Sequence, residues 1–240
     1  MTIDEATDPL NEGFAGNGRR TASWAFFPGA GGGSTLWRPV AKRFDGTVMA
    51  LPELESVAEM ADALEASLLR MPAPRILVGN SLGALVALEC AQRLPVAGLM
   101  LLAAGWEFPV SKELIQRVDA KGAAIFPEVA RRCVGPDLRP EHLAAVVADF
   151  ESRREGTMAR HLRAIRDHEP RIDLAVAQPT TLVLGGRFDR SVALRDHLEL
   201  TERTGGAFVP VRTAAHMPFV DHVEEVVRWL ERLQAVVMGD

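Results

Sequence analysis

A chain of 240 residues, 48% hydrophobic and 25% charged, has ample apolar surface for one core and the ordinary composition of a globular protein, which argues against disorder. Its formal net charge of -5 argues against a nucleic-acid binder, because affinity for the phosphate backbone needs a surplus of lysine and arginine. No apolar run approaches the ~20 residues that span a bilayer, and the two cysteines, Cys90 and Cys133, make no disulfide framework and read as buried thiols.

Residues 1–20 are acidic and then rich in Gly and Asn, with no apolar periodicity. They read as a loose tail and lack the charged start and apolar run of a secretion signal, which places the protein in the cytoplasm. From there, short apolar runs alternate with helical patterns, as in a mostly parallel sheet covered by helices on both faces. The runs at 24–27, 47–51, 75–78, 96–103, 181–184 and 207–211 are nearly all apolar, as strands buried on both faces should be. Between the second and third, Val57, Met60, Ala61, Leu64 and Leu68 repeat at helical spacing, with Ser56 and Glu59 as a capping box. Residues 82–93 and 221–236 read as helices in the same way.

Residues 105–178 break the alternation, offering amphipathic helices at 112–121 and 141–150 and no convincing strand. They are expected to form a helical cap over the strand ends, inserted into a core made of 21–104 and 179–240. Arginines at 153, 154, 160, 163, 166 and 171 enrich the second half of this segment. A solvated helix face balanced by Glu155, Asp167 and Glu169 accounts for them; a positive strip that meets an acidic carrier or a phosphate is the alternative.

The chemistry-bearing pattern is Gly79-Asn80-Ser81-Leu82-Gly83, a G-x-S-x-G placed directly after the run 75–78 and before a helix. A nucleophile on a strand-to-helix turn adopts a strained backbone, and glycines two residues to either side remove the side chains that would collide there. Ser81 is therefore the candidate nucleophile. The Leu82 N–H, at the start of the helix, is a candidate oxyanion donor. A second donor is expected from Pro28-Gly29-Ala30-Gly31-Gly32-Gly33-Ser34, with the Ala30 N–H as the candidate. That glycine-rich loop lacks the G-K-[ST] ending of a phosphate-binding loop, so no nucleotide site is expected.

A serine hydroxyl needs an adjacent base, and the base needs a partner that fixes its tautomer. Asp189 lies just after the run 181–184 and His216 after the run 207–211, so both fall at the strand ends that present Ser81. Their order, Ser then Asp then His, is the one this architecture uses. His142, His161 and His168 fall in the cap segment and His197 in a polar helical stretch; His222, inside the terminal helix, fits a capping or surface role better than catalysis. No histidine or cysteine cluster has metal-ligand spacing, so neither metal nor cofactor is expected.

Taken together, Phe27-Pro28-Gly29-Ala30-Gly31, the serine pentapeptide, Gly186-Arg187-Phe188-Asp189 and Ala215-His216-Met217-Pro218-Phe219 resemble the ordered motifs of the α/β-hydrolase superfamily, over about residues 22–236 apart from the cap. The resemblance implies an α/β-hydrolase fold with an eight-stranded, mostly parallel sheet, a Ser81–His216–Asp189 triad, an oxyanion hole from the Ala30 and Leu82 amides, and no cofactor. Capped esterases are the most similar group, including the pimeloyl-carrier-protein methyl ester esterases around 214–219. The chain departs from the pattern in having Pro28-Gly29 where many relatives have His-Gly. Its loop Leu51-Pro52-Glu53-Leu54-Glu55-Ser56 is also shorter than theirs.

The expected function is hydrolysis of a small carboxylic ester with a fairly apolar portion. Alternatives are the same chemistry on acyl groups linked to a carrier protein or coenzyme A, carbon–carbon bond hydrolysis, and a non-catalytic binding protein on the same fold.

Overall fold

The computed structural model describes residues 21–135, 139–174 and 178–239. The tail expected at 1–20 lies outside the described residues. Six strands, β1 (Ser23–Phe27), β2 (Thr47–Val48), β3 (Arg75–Asn80), β4 (Gly98–Leu102), β5 (Thr180–Gly186) and β6 (Ala207–Val211), form one sheet in the order β2-β1-β3-β4-β5-β6. Every adjacent pair is parallel. The count corrects the eight strands implied by the resemblance: among the described residues the sheet has six, one for each buried apolar run. The second run is cut to two strand residues, with one further ladder bond from the Met49 N–H to the Phe26 carbonyl at 2.8 Å. Pro52 follows closely and has no N–H to extend the pairing.

Alternation along the strands feeds two apolar layers. Trp24, Phe26, Ile76, Val78, Met100 and Leu102 point to one face; Ala25, Phe27, Leu77, Leu99 and Leu101 point to the other. The first face is covered by α1 (Arg38–Arg43) and α10 (Val223–Met238), through Val40, Val226 and Leu230. The second is covered by α2 (Val57–Leu69) and α3 (Leu82–Ala91). The helical periodicity of α2 is realised as read, with Val57, Met60, Ala61, Leu64 and Leu68 all buried. Ser56 accepts from the Glu59 N–H at 3.4 Å, a long version of the expected cap. The strongly apolar α3 has no polar face because both of its sides are buried.

Between β4 and β5 the described chain is helical, with α4 (Lys112–Lys121), α5 (Phe126–Cys133), α6 (Pro140–Glu151) and α7 (Thr157–Arg166) and no strand among the described residues. The arginines of α7 are matched by carboxylates. Arg160 lies 3.8 Å from Glu53, Arg163 pairs with both Glu55 and Asp119, and Arg166 lies 2.6 Å from Asp167. These pairs are solvent-exposed to different degrees and contribute little individually, but they leave α7 without an unbalanced positive strip. Beyond β5, α8 (Leu194–Thr204) leads to β6, and the terminal helix read at 221–236 is α10, which starts two residues later, after a short α9 (Pro218–Asp221) and His222 at φ -130°, ψ 41°. Among the described residues no helix is long and apolar enough to cross a membrane.

The order of strands positions the site. The chain winds from β1 outward to β2, then back across to β3 and away, so the loops after β1 and β3 part at a topological switch point, where crevices form at the carboxyl ends of parallel strands. Because Phe27 pairs with Gly79, the glycine-rich loop after β1 lies beside Asn80 and Ser81.

Candidate active site

Ser81 sits at φ 56°, ψ -123°, between the last residue of β3 and the first of α3. A non-glycine residue at positive φ is strained and persists only where its surroundings over-determine it. Here the Ser81 N–H donates to the Leu102 carbonyl at 2.9 Å, and its own carbonyl accepts from Ala84 and Leu85. The flanking glycines are required by space. A Cβ on Gly79 would stand 2.3 Å from the Gly83 carbonyl oxygen, and one on Gly83 would stand 2.2 Å from that of Phe27. Both contacts are with backbone, so no rotamer change relieves them.

Asp189 and His216 are brought together as the sequence predicts. His216 Nδ1 lies 2.9 Å from Asp189 Oδ2, and the Asp189 side chain is wholly buried. Its other oxygen, Oδ1, accepts from the Ser191 N–H at 2.7 Å and the Val192 N–H at 3.1 Å. Burial pushes this carboxyl up, but the charge and hydrogen bond of His216 together with the two amides outweigh it and hold Asp189 below the usual carboxylate range. An ionised carboxylate only accepts, so His216 carries its proton on Nδ1 and leaves the Nε2 lone pair free. The two loops are laced to one another: Phe188 N–H donates to the Ala214 carbonyl at 2.9 Å, and a Cβ on Gly186 would strike the Ala214 and Ala215 carbonyls at 2.4 Å.

Asn80 has a task that the serine pattern does not reveal. It is 1% exposed, and its Nδ2 donates to the His216 carbonyl at 2.8 Å, tying the histidine loop to the residue before Ser81. Ser81 and His216 share a cavity of about 210 Å³ whose wall includes Ala30, Phe108, Val110, Met158, Leu162 and Cys133. The rings of Phe108 and His216 are nearly perpendicular, with centroids 5.8 Å apart. Cys133 lines the same space, where burial and then the charge of Asp189 push its thiol up to about 12.

The two candidate oxyanion donors differ in origin. Leu82 opens α3, where an N–H has no intrahelical acceptor. In the loop after β1, Gly32 N–H donates to the Gly29 carbonyl at 3.0 Å, and those of Gly31, Gly33 and Thr35 are taken by side chains of α6 and α7. Among the described residues no acceptor takes the Ala30 N–H. The side chains responsible, Asp149 and His161, were not singled out in the sequence. Each is nonetheless a polar residue in an apolar stripe, Asp149 among Val146 and Phe150, and His161 among Met158 and Ile165. That pattern is the signal that could have found them.

Two other histidines are tied to different partners. His197 is buried and donates from Nδ1 to the Ala104 carbonyl at 2.6 Å, and burial holds it below its ordinary value. His222 is held by Asp221 at 2.8 Å and Thr213 at 2.6 Å.

Comparison with known proteins agrees with this architecture. No curated protein matches the sequence. Among solved structures, the chain is similar to a type II thioesterase, BorB, from the borrelidin biosynthetic cluster, at TM-score 0.67 and 20% identity over 90% of this chain and 96% of that one. It is also similar to a thermophilic esterase from Thermogutta terrifontis, at 0.73 and 23% over 89% and 90%. A third similar structure is the enol-lactonase from Burkholderia xenovorans LB400, at 0.74 and 17% over 89% and 91%. At such identities the likeness is one of fold. The sequence model of the Alpha/beta hydrolase family matches residues 24–229, from the first strand into the last helix, and the chain therefore belongs to that family.

Proposed function

We propose that the protein is a serine hydrolase that cleaves a carboxylic ester through an acyl-enzyme on Ser81. The observation that carries the reading is the strained Ser81 turn opening into the same cavity as His216, whose other nitrogen is engaged by a buried, ionised Asp189. In the first half-reaction Ser81 Oγ attacks the ester carbonyl carbon and its proton passes to His216 Nε2. The Ala30 and Leu82 amides stabilise the oxyanion. Collapse breaks the carbon–oxygen bond, and the departing alkoxide takes the proton from His216. Water then repeats the sequence, yielding the acid and free Ser81.

The helices between β4 and β5 act as a cap, the bulk of residues 105–178. The loop before α4 supplies Phe108 and Val110, and α7 supplies Met158 and Leu162, to an apolar wall, which suits a substrate with an apolar acyl or alcohol part. The protein works in the cytoplasm and, among capped esterases, is grouped with the carrier-protein methyl ester type. One observation favours a second substrate class: Arg132 and Arg190 line the cavity and neither is ion-paired among the described residues. A phosphate on a carrier-linked or coenzyme A-linked acyl substrate would find a partner there, while the arginines of α7 already have theirs.

The test is turnover of p-nitrophenyl esters of graded chain length beside acyl thioesters, each followed across pH. For either substrate class kcat/KM rises with pH to a plateau through one ionisation, since His216 must be neutral to accept the Ser81 proton. Asp189 adds no second step to that rise, because His216 and the two backbone amides hold it below the usual carboxylate range. Two ionisations in the acid limb, or a rate that rises as pH falls, contradicts the assignment of His216 as base.

A further inference from the structure

Two buried polar side chains outside the proposed triad converge on one short loop. Asp149 on α6 is 3% exposed; its Oδ2 accepts from the Gly33 N–H at 2.7 Å and its Oδ1 from the Thr35 N–H at 3.0 Å. His161 on α7 is fully buried; its Nδ1 lies 3.1 Å from the Gly31 nitrogen and its Nε2 2.8 Å from the Pro52 carbonyl oxygen. The Gly31 N–H can only donate and the Pro52 carbonyl can only accept, so both ring nitrogens are assigned: Nδ1 bears the lone pair and Nε2 the proton. Burial, the largest influence, lowers His161 to about 4, with Pro52 and Glu53 opposing it and Arg153 and Arg160 adding to it, so the ring is neutral as this bonding requires. On the same side, Arg153 donates to the Leu51 carbonyl at 2.8 Å.

A buried carboxylate and a buried imidazole are costly unless their hydrogen bonds are satisfied. Here most of their bonding is spent on the backbone of residues 31–35, more than a hundred residues away in sequence. The loop is shaped to receive them. Gly31 has φ +68° and a Cβ there would stand 2.7 Å from Met158 Cε; a Cβ on Gly33 would stand 3.0 Å from Asp149 Oδ1. Gly31, Gly32, Gly33 and Thr35 are committed, and the Ala30 N–H, directly before the residue that His161 holds and in the wall of the Ser81 cavity, has no acceptor among the described residues.

We infer that Asp149 and His161 are positioning residues for the oxyanion hole, through which the cap segment sets the direction of the Ala30 N–H. The inference rests on the reading of Ser81 and Ala30 proposed above. It gives the cap a part in the chemical step in addition to its part in enclosing substrate. Transition-state donors act on kcat when they are misplaced, and a misplacement of about 1 Å can cost on the order of 10²-fold.

The experiment compares two substitutions of one residue in the full chain, with a short p-nitrophenyl ester as substrate. His161→Asn places an amide oxygen where Nδ1 stands and keeps the acceptor for Gly31. His161→Gln places an amide nitrogen where Nε2 stands and keeps only the donor to Pro52. The expected result is kcat reduced by about 10²-fold in His161→Gln with KM little changed, and kcat within a fewfold of the parent in His161→Asn, at similar melting temperatures. Equal losses in both variants, no loss in either, or a change confined to KM overturns the positioning role. Should neither variant fold, Asp149→Asn, which keeps one acceptor oxygen and loses the other, is read in the same way; an unchanged kcat there overturns the inference. Parallel assays of Ser81→Ala separate the two levels. Parent turnover abolished by that change leaves the hydrolase reading standing whatever the histidine variants do, and turnover that survives it overturns both.

Discussion

Replacing Ser81 by alanine is expected to lower kcat by on the order of 10⁴ to 10⁶ while the fold is retained. The loss is large because the acyl-enzyme route needs a nucleophile at this one position, and what remains is water attack aided by the oxyanion donors and binding. The fold should hold because the Ser81 side chain caps no helix, and the backbone bonds of the turn, to Leu102, Ala84 and Leu85, do not involve the hydroxyl. Alanine at φ 56° carries the same Cβ strain as serine, so the substitution adds none. On the proposed mechanism Ser81 and His216 act as a unit, so Ser81→Ala combined with His216→Ala should cost little more than either alone. Steady-state kinetics with circular dichroism on each protein checks both statements.

Asp189→Asn is expected to reduce kcat by about 10⁴-fold, for a reason visible in the bonding of the carboxylate. Oδ1 faces two N–H donors, from Ser191 and Val192, and Oδ2 faces His216. An asparagine amide keeps both backbone bonds only with its oxygen in the Oδ1 position, which turns its NH2 toward His216 Nδ1. The ring must then accept on Nδ1 and carry its proton on Nε2, which as a donor cannot take the hydroxyl proton of Ser81. The alternative flip sets an NH2 against two N–H groups in a buried site, which costs stability. Measurement of kcat alongside the chemical shifts of the imidazole nitrogens distinguishes the tautomers; near-parental kcat with the parental tautomer would contradict this role for Asp189.

Much of this was legible in the sequence because it depends on local pattern. Each of the six buried apolar runs became a strand, and the helix over α2 followed its periodicity to the residue at its buried positions. The serine turn was legible because two glycines and a strand-to-helix transition have a steric cause that a pentapeptide records. The eight-strand count came from resemblance and had no run of residues behind it. The last helix was legible to within two residues, whereas the short α9 before it was not, because four residues are too few for a helical period to show. Asn80, Asp149 and His161 were missed because their partners are backbone groups 136, 116 and 130 residues away for the bonds to His216, Gly33 and Gly31, and backbone partners leave no mark in composition.

The balance of the α7 arginines was half legible. Asp167 is adjacent in sequence, whereas Glu53, Glu55 and Asp119 meet Arg160 and Arg163 only through the packing of α7 against the loop after β2 and against α4. Charge clusters on a helix are therefore read with what the fold sets opposite them.

Ser81 as a nucleophile activated by His216 and Asp189 carries a covalent signature. Its most direct measurement is covalent labelling with a fluorophosphonate, followed by mass spectrometry of the peptides and assay of residual esterase activity. One adduct on Ser81, formed in proportion to the loss of activity, slowed by substrate and abolished by His216→Ala, is the result expected. Full loss of activity with the adduct on another residue, or undiminished turnover with Ser81 fully labelled, would contradict it.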